Sequence, residues 1–313
     1  MKTLFFALSL MMLALGLVAP LRSAEVPAAA TADPAFDRWA DDFAASWVRA
    51  SPNLATTSQY FDGAEQDALD RQLTPITKEY RAGRVAAAKR GLAELAKFDR
   101  ARLDETQHAS AGMLEWQLND VVQSESFSDY RYVFQQFSGL QVQLVNFLSQ
   151  THPIRNKRDV ENYLARLDLV AALIDEGIAQ AKDRASRGYL PPKFILTSTV
   201  AQFDRFLAGT PRENVLVASL DERAAKLTDV STEDRATFVA AAEKTVATSI
   251  IPAFQRAQAL LKEQLPASTD EAGLSRFPGG DKAYAQALHQ LTTTDYTAEQ
   301  IHEIGLKEVA RVE

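Results

Sequence analysis

Four histidines, His108, His152, His289 and His302, and no cysteine make up the soft-ligand inventory of this chain. Without cysteine there can be no thiol nucleophile, no Cys-ligated zinc and no disulfide, whatever the redox state of the compartment. That leaves imidazole and carboxylate chemistry. A zinc-peptidase helix needs two histidines one turn apart, so that both rings face one ion, and a glutamate beside the first as base. His302-Glu303 supplies the first two letters of that pattern, but the residue four positions after His302 is Leu306. His289 lies thirteen residues before His302, and nothing in the sequence joins the two. His108 falls in the first turns of a predicted helix, and His152 precedes a proline in a turn. The nucleophile elbow GxSxG, the phosphate loop GxxxxGK[ST] and the dinucleotide fingerprint GxGxxG are all absent. Gly279-Gly280 is a lone pair that reads as a turn. The carboxylate pairs Asp175-Glu176 and Asp221-Glu222 read as solvent-facing helix positions. No residue is therefore assigned a catalytic, cofactor-binding or metal-ligating role.

The elements that would have to position any site are helices. Asp33-Pro34 reads as an N-cap with proline in the first turn, and Phe36, Trp39, Phe43 and Trp47 follow on one face, a core-facing aromatic stripe. Ser51-Pro52 ends that helix. A second runs from Pro75 to Phe98, and a third opens at Asp104 with Gln107 completing a capping box. Tyr130-Arg131-Tyr132-Val133-Phe134 alternates with a period of two and is the best strand candidate, part of a small hairpin at most. Asn156 or Lys157 opens a long helix that Gly188 and Pro191-Pro192 close. Further helices are predicted over Phe194–Leu207, Glu213–Leu227, from Ser231 through a kink at Pro252, over Asp281–Leu291, and from the Thr297–Gln300 capping box to Glu313. The fold class is all-α: a bundle-like array of about nine helices.

Lys2 followed by the uncharged apolar run Leu4–Val18 reads as a secretory signal over residues 1–23, with an uncleaved anchor as the alternative. Residues 24–32, rich in alanine, read as a disordered leader, and residues 33–313 as the helical domain, the N-terminal part of a larger one. The expected location is periplasmic or secreted, with no stable membrane association after the signal is removed. The formal net charge of −7, with acids and bases interspersed, excludes nucleic acid as a main partner.

A resemblance adds to this reading. Phe277-Pro278-Gly279-Gly280, Ala283-Tyr284 and Leu288, the run Thr292 to His302, Gly305-Leu306 and Glu308 to Glu313 together resemble a signature of the bacterial domain of unknown function 885 family. Weaker matches stand in the same order: Ser51–Thr56, Gln136–Gly139, His152–Ile154, Tyr163–Leu167, Gly188–Pro192 and Ile251–Phe254. The resemblance implies a mostly helical, exported protein related to zinc-dependent peptidases. In that family the metal motif, of the form HExxPGHH, and an EGWALY-like segment lie beyond the stretch represented here. It follows that His302-Glu303 belongs to a structural capping region, that zinc is a cofactor of a longer full-length protein only, and that this chain alone is inactive. The chain would supply one wall of a peptide-binding cleft, with the turn Gln135–Gly139 as candidate lining. The alternative is a non-catalytic periplasmic binding or interaction protein.

Overall fold

Asp33 opens helix α1 (Pro34–Arg49) as its spacing predicts: its carboxylate accepts from the Ala35 amide at 2.9 Å, and Pro34 sits where a missing N–H costs nothing. The structure, a computed structural model, describes residues 32–313. The signal reading of 1–23 and the leader reading of 24–32 lie outside the described residues, apart from Ala32.

Twelve more helices follow: α2 (Pro52–Ser58), α3 (Gly63–Asp70), α4 (Lys78–Leu95), α5 (Glu105–Ser124), α6 (Leu140–Asn146), α7 (Lys157–Ser186), α8 (Lys193–Leu207), α9 (Val215–Ala224), α10 (Thr232–Thr245), α11 (Ile251–Gln264), α12 (Gly280–Thr292) and α13 (Ala298–Val312). The fold is all-α, with no strand among the described residues. Helices α2, α3 and α6 were not foreseen; each spans only seven or eight residues, too few for a 3.6-residue period to repeat. The kink expected at Pro252 takes a specific form. A π-helical stretch, Val246–Ile250, divides α10 from α11, and its extra residue absorbs the proline without ending the helix.

The strand expected over Tyr130–Phe134 is not formed. Arg131 has extended backbone (φ −94°, ψ 125°), but no second strand lies alongside. The alternating aromatics instead divide between two neighbours. Tyr130 donates its hydroxyl to the Pro278 carbonyl, and the Tyr132 hydroxyl accepts from Arg276 at 2.8 Å. Phe134 turns inward against Phe203 of α8, ring centroids 5.9 Å apart.

The main core is built around α7. Val160, Tyr163, Leu167, Val170 and Ile174 repeat at three- and four-residue spacing and are fully buried, packed by α8 to α11. Each such side chain contributes about 1.5–3 kcal/mol through burial. Two smaller clusters lie to the N-terminal side: Phe36, Leu95, Leu103 and Ala111, and Val48, Ala55 and Leu69.

A buried polar lock ties these layers together. Arg166, on the core helix α7, has no exposed surface. It donates to the Gln72 carbonyl (2.7 Å), the Leu69 carbonyl (3.0 Å), Thr56 Oγ1 (2.5 Å) and His152 Nδ1 (2.6 Å), and Asp70 lies 3.9 Å away. A guanidinium can only donate, so His152 Nδ1 accepts and Nε2–H faces the Asp159 carbonyl at 3.0 Å. Burial first, and then the charge of Arg166, push the His152 pKa down from 6.5 to about 3; burial lowers that of Arg166 to about 10, which leaves it charged at neutral pH.

Two outcomes follow for stability. Replacing Arg166 by methionine strands Asp70 and three buried acceptors, so urea unfolding should show a loss on the order of 3–5 kcal/mol. The folded His152 stays neutral where the unfolded one protonates. Its contribution is therefore complete above the unfolded value of 6.5 and is lost as pH falls toward about 3. The expected decrease at about pH 5 is about 2 kcal/mol, and it should be missing from the His152→Asn profile.

Candidate functional site

The residues that could have done metal chemistry are scattered. His108 is exposed in the first turn of α5, and His302 and Glu303 are exposed on α13. His152 is consumed by the lock. His289 faces the Thr294 carbonyl at 3.1 Å and Asp295 Oδ1 at 3.2 Å. Among the described residues no three His, Asp or Glu side chains gather as a ligand set of the kind a zinc ion takes. Three of the four paired carboxylates are salt-bridge partners, and Glu176 accepts from Gln180 Nε2 at 2.8 Å. Asp175 holds Arg256 at 2.7 Å. Asp221 is shielded between Arg212 and Arg235, both at 2.6 Å, and is less exposed than its sequence position suggested. Glu222 pairs with Lys226 at 2.8 Å.

What the fold does build is a rigid turn. Its placement begins with Gly177 in the middle of α7: a β-carbon there would meet Leu140 at 2.8 Å and Phe134 at 3.1 Å, so glycine is what allows the 131–140 segment to lie against the helix. The turn Gln135–Gly139 is then closed by glutamine side chains. Gln141 Nε2 donates to the Gln135 carbonyl (2.9 Å), Gln202 Nε2 to the Gln136 carbonyl (2.7 Å) and Gln143 Nε2 to the Ser138 carbonyl (2.8 Å). Gln135 itself accepts from the Phe137 amide at 2.9 Å and donates to Ser138 Oγ. The Gly139 amide returns to the Gln135 carbonyl at 3.1 Å and the Leu140 amide to the Val133 carbonyl at 2.8 Å. Every loop carbonyl so engaged fixes the tip, and at the tip Phe137 is 81 % exposed. A large ring held outward by a hydrogen-bonded polar frame is unusual for a residue type that is usually buried.

Beside this turn lies a cleft of about 370 Å³ between the N-terminal layer and α6/α7. Its floor is Leu140, Leu144, Phe147 and Leu173; its opposite rim is Ser51, Asn53, Thr74 and Ile76, with Gln143 at the turn. The rim is itself cross-linked: the Asn53 amide donates to Thr74 Oγ1 (2.9 Å), and the Thr74 amide donates to Asn53 Oδ1 (3.0 Å). An apolar floor with hydroxyl and carboxamide rims suits an extended chain with side chains pointing down and polar groups along the edge. No His, Asp, Glu, Lys or Arg lines it, so no general base stands beside Ser51 or Thr74.

The turn was marked by the sequence reading. Phe137 as its exposed tip, the bracing by Gln202 from α8 and the Ser51–Thr74 rim were not. The one available signal was density, four glutamines within residues 135–143. Gly139 tests the frame. A β-carbon there would run into the Gln135 backbone and Gln141 Oε1. Gly139→Ala is expected to cost about 1–3 kcal/mol and to raise amide exchange at residues 135–140, with other segments unchanged.

No curated protein matches the chain. A crystal structure of a "putative lipoprotein" from Colwellia psychrerythraea shares the fold, with a TM-score of 0.71 and 19 % identity over 88 % of this chain. The match covers 49 % of that protein, so the chain spans about half its length. The model of a family described as bacterial proteins of unknown function, DUF885, matches residues 52–313, and the chain belongs to that family.

Proposed function

We propose that this polypeptide is the helical N-terminal part of a larger exported, zinc-peptidase-like protein, in which it forms a substrate-binding wall while the metal centre lies in the other part. The observation that carries this reading is α13. Its capping box forms as expected, with the Gln300 amide donating to Thr297 Oγ1 at 3.3 Å, yet the helix has no buried residue. Ile304, Leu306, Val309 and Val312 are each 44 % exposed or more, and Leu291 and Tyr296 extend the same apolar region. A helix with a strongly amphipathic pattern whose apolar side no described residue buries needs a covering surface. The folded relative, about twice as long, supports a second part of the same protein as that cover.

The cleft beside Gln135–Gly139 supports peptide as the class of ligand, because it offers hydrogen-bonding rims to an extended backbone and an apolar floor to its side chains. The apolar segment Leu4–Val18 supports export to the periplasm or beyond. No helix among the described residues is long and apolar enough to cross a membrane. A non-catalytic binding protein is the second reading, and the same cleft would serve it.

The reading frame past the codon for Glu313 separates the two. A continuation containing the HExxPGHH pattern supports the first, and an immediate stop overturns it. In the longer protein, Phe137→Ala and Gln136→Ala are expected to raise KM for peptides by on the order of tenfold with kcat little changed. Unchanged turnover in both variants rejects the cleft.

A further inference from the structure

Helix α1 lines a second cleft, which meets the first near the α1–α2 junction: Trp47, Val48 and Leu54 line the one, Ser51 and Asn53 the other. Its aromatic stripe is only partly core: Phe36 is buried, but Trp39, Phe43 and Trp47 are half-buried. They form a ridge, Trp39 on Phe43 and Phe43 on Trp47, with ring centroids 5.6 and 5.7 Å apart. The Arg84 guanidinium lies 3.2 Å over Trp47 and donates to its carbonyl at 2.7 Å, which fixes that ring. On the α5 side of the ridge is a cleft of about 500 Å³, walled by Phe43, Trp47, Leu54 and Leu118 and ended by Trp116 and Asp120. Its size and lining are those of a small-molecule site.

Two polar groups at that end define what would fit. Trp116 Nε1 is buried and has no acceptor. Asp120 is held by neutral donors only: Ser124 Oγ (3.0 Å) and Gln286 Nε2 (3.2 Å) on one oxygen, Gln290 Nε2 (2.9 Å) on the other. No Lys, Arg or His pairs with it among the described residues. The carboxylate is thus oriented, half-buried and lacking a counter-charge beside three aromatic rings. The geometry points to this cleft as a site for a methylated organic ammonium. Ring faces attract a cation through their quadrupole, and the Asp120 charge complements it. A primary ammonium needs three acceptors, and those of Asp120 are largely taken. A methylated one needs none and packs its methyl groups on Phe43, Trp47 and Leu118. A hydroxyl oxygen on the same ligand would accept from Trp116 Nε1–H.

Trp39, Trp47 and Trp116 are the three tryptophans of the chain, so occupancy reads out in intrinsic fluorescence. Choline is expected to quench it saturably. Ethanolammonium and the neutral isostere of choline, with carbon in place of nitrogen, are expected to bind at least about tenfold more weakly. Asp120→Asn is expected to weaken choline about tenfold. Because Asp120 also ties α5 to α12, Gln117→Lys is the second variant: it sets a fixed ammonium one turn away on an exposed position and should weaken choline equally with the unfolding midpoint unchanged. Equal quenching by the neutral isostere, unaltered affinity in both variants, or no saturation overturns the assignment. Vesicles of dioleoylphosphatidylcholine identify the source. Quenching by vesicles that choline reverses assigns a lipid headgroup, and quenching by choline alone assigns a free ammonium.

Discussion

The fold depends on one buried charge. Arg166 lies in the middle of the apolar face of α7, where a guanidinium without partners would be prohibitively expensive. Its partners come from four separate places: the end of α3, the strap after it, the first turns of α2, and the turn before α7. No subset of these satisfies the group. The N-terminal helices can therefore dock on the core helix in one register, and His152 must be present as the neutral tautomer that accepts. Hydrophobic packing around Val160, Leu167 and Ile174 supplies most of the stabilisation. The Arg166 lock supplies uniqueness, because apolar contacts alone tolerate small rotations and slips that a multiply bonded guanidinium does not.

That single register is what creates the clefts. The groove of about 370 Å³ exists only because residues 51–53 and 74–76 are held at a set distance from α6 and α7, and the Arg166 lock anchors the neighbouring Thr56, Leu69 and Gln72. On the other side, the ridge of large rings on α1 props this helix away from α5 and leaves the space that ends at Asp120. In both places the fold spends polar groups to hold a shape open: glutamines around Gln135–Gly139, and Ser124, Gln286 and Gln290 around Asp120. Neither lining sets a nucleophile beside a base among the described residues. Fold membership alone does not decide function, and the family to which the chain belongs is defined without one.

Much of the architecture was legible because helix signals are local. Asp33, Asp104 and Thr297 each cap the helix they are read to cap, and Asn156 and Ser231, which stand at expected helix starts, prove to be caps as well, each side chain accepting from a backbone amide two or three residues on. The period of α7 marked the core helix directly. What failed was also local in cause. Tyr130–Phe134 has the alternation of a strand, but a strand is a pairing, and no partner segment lies beside it. The aromatic stripe of α1 has the spacing of a core face: Phe36 is buried and Trp39 packs against the same cluster, while Phe43 and Trp47 stay half-buried, because the depth of burial depends on what lies opposite.

By itself, then, the sequence determined the helical class, the caps, the absence of thiol chemistry and the incompleteness of the His302-Glu303 pattern, since each of these is settled within a few residues of chain. Only the tertiary structure decided that His152 is a buried acceptor, that Phe137 is held outward by Gln202 from another helix, and that Asp120 has no counter-charge among the described residues. Those are properties of groups separated by tens of residues in the chain, and solvation, charge pairing and exposure take their values only when distant segments meet.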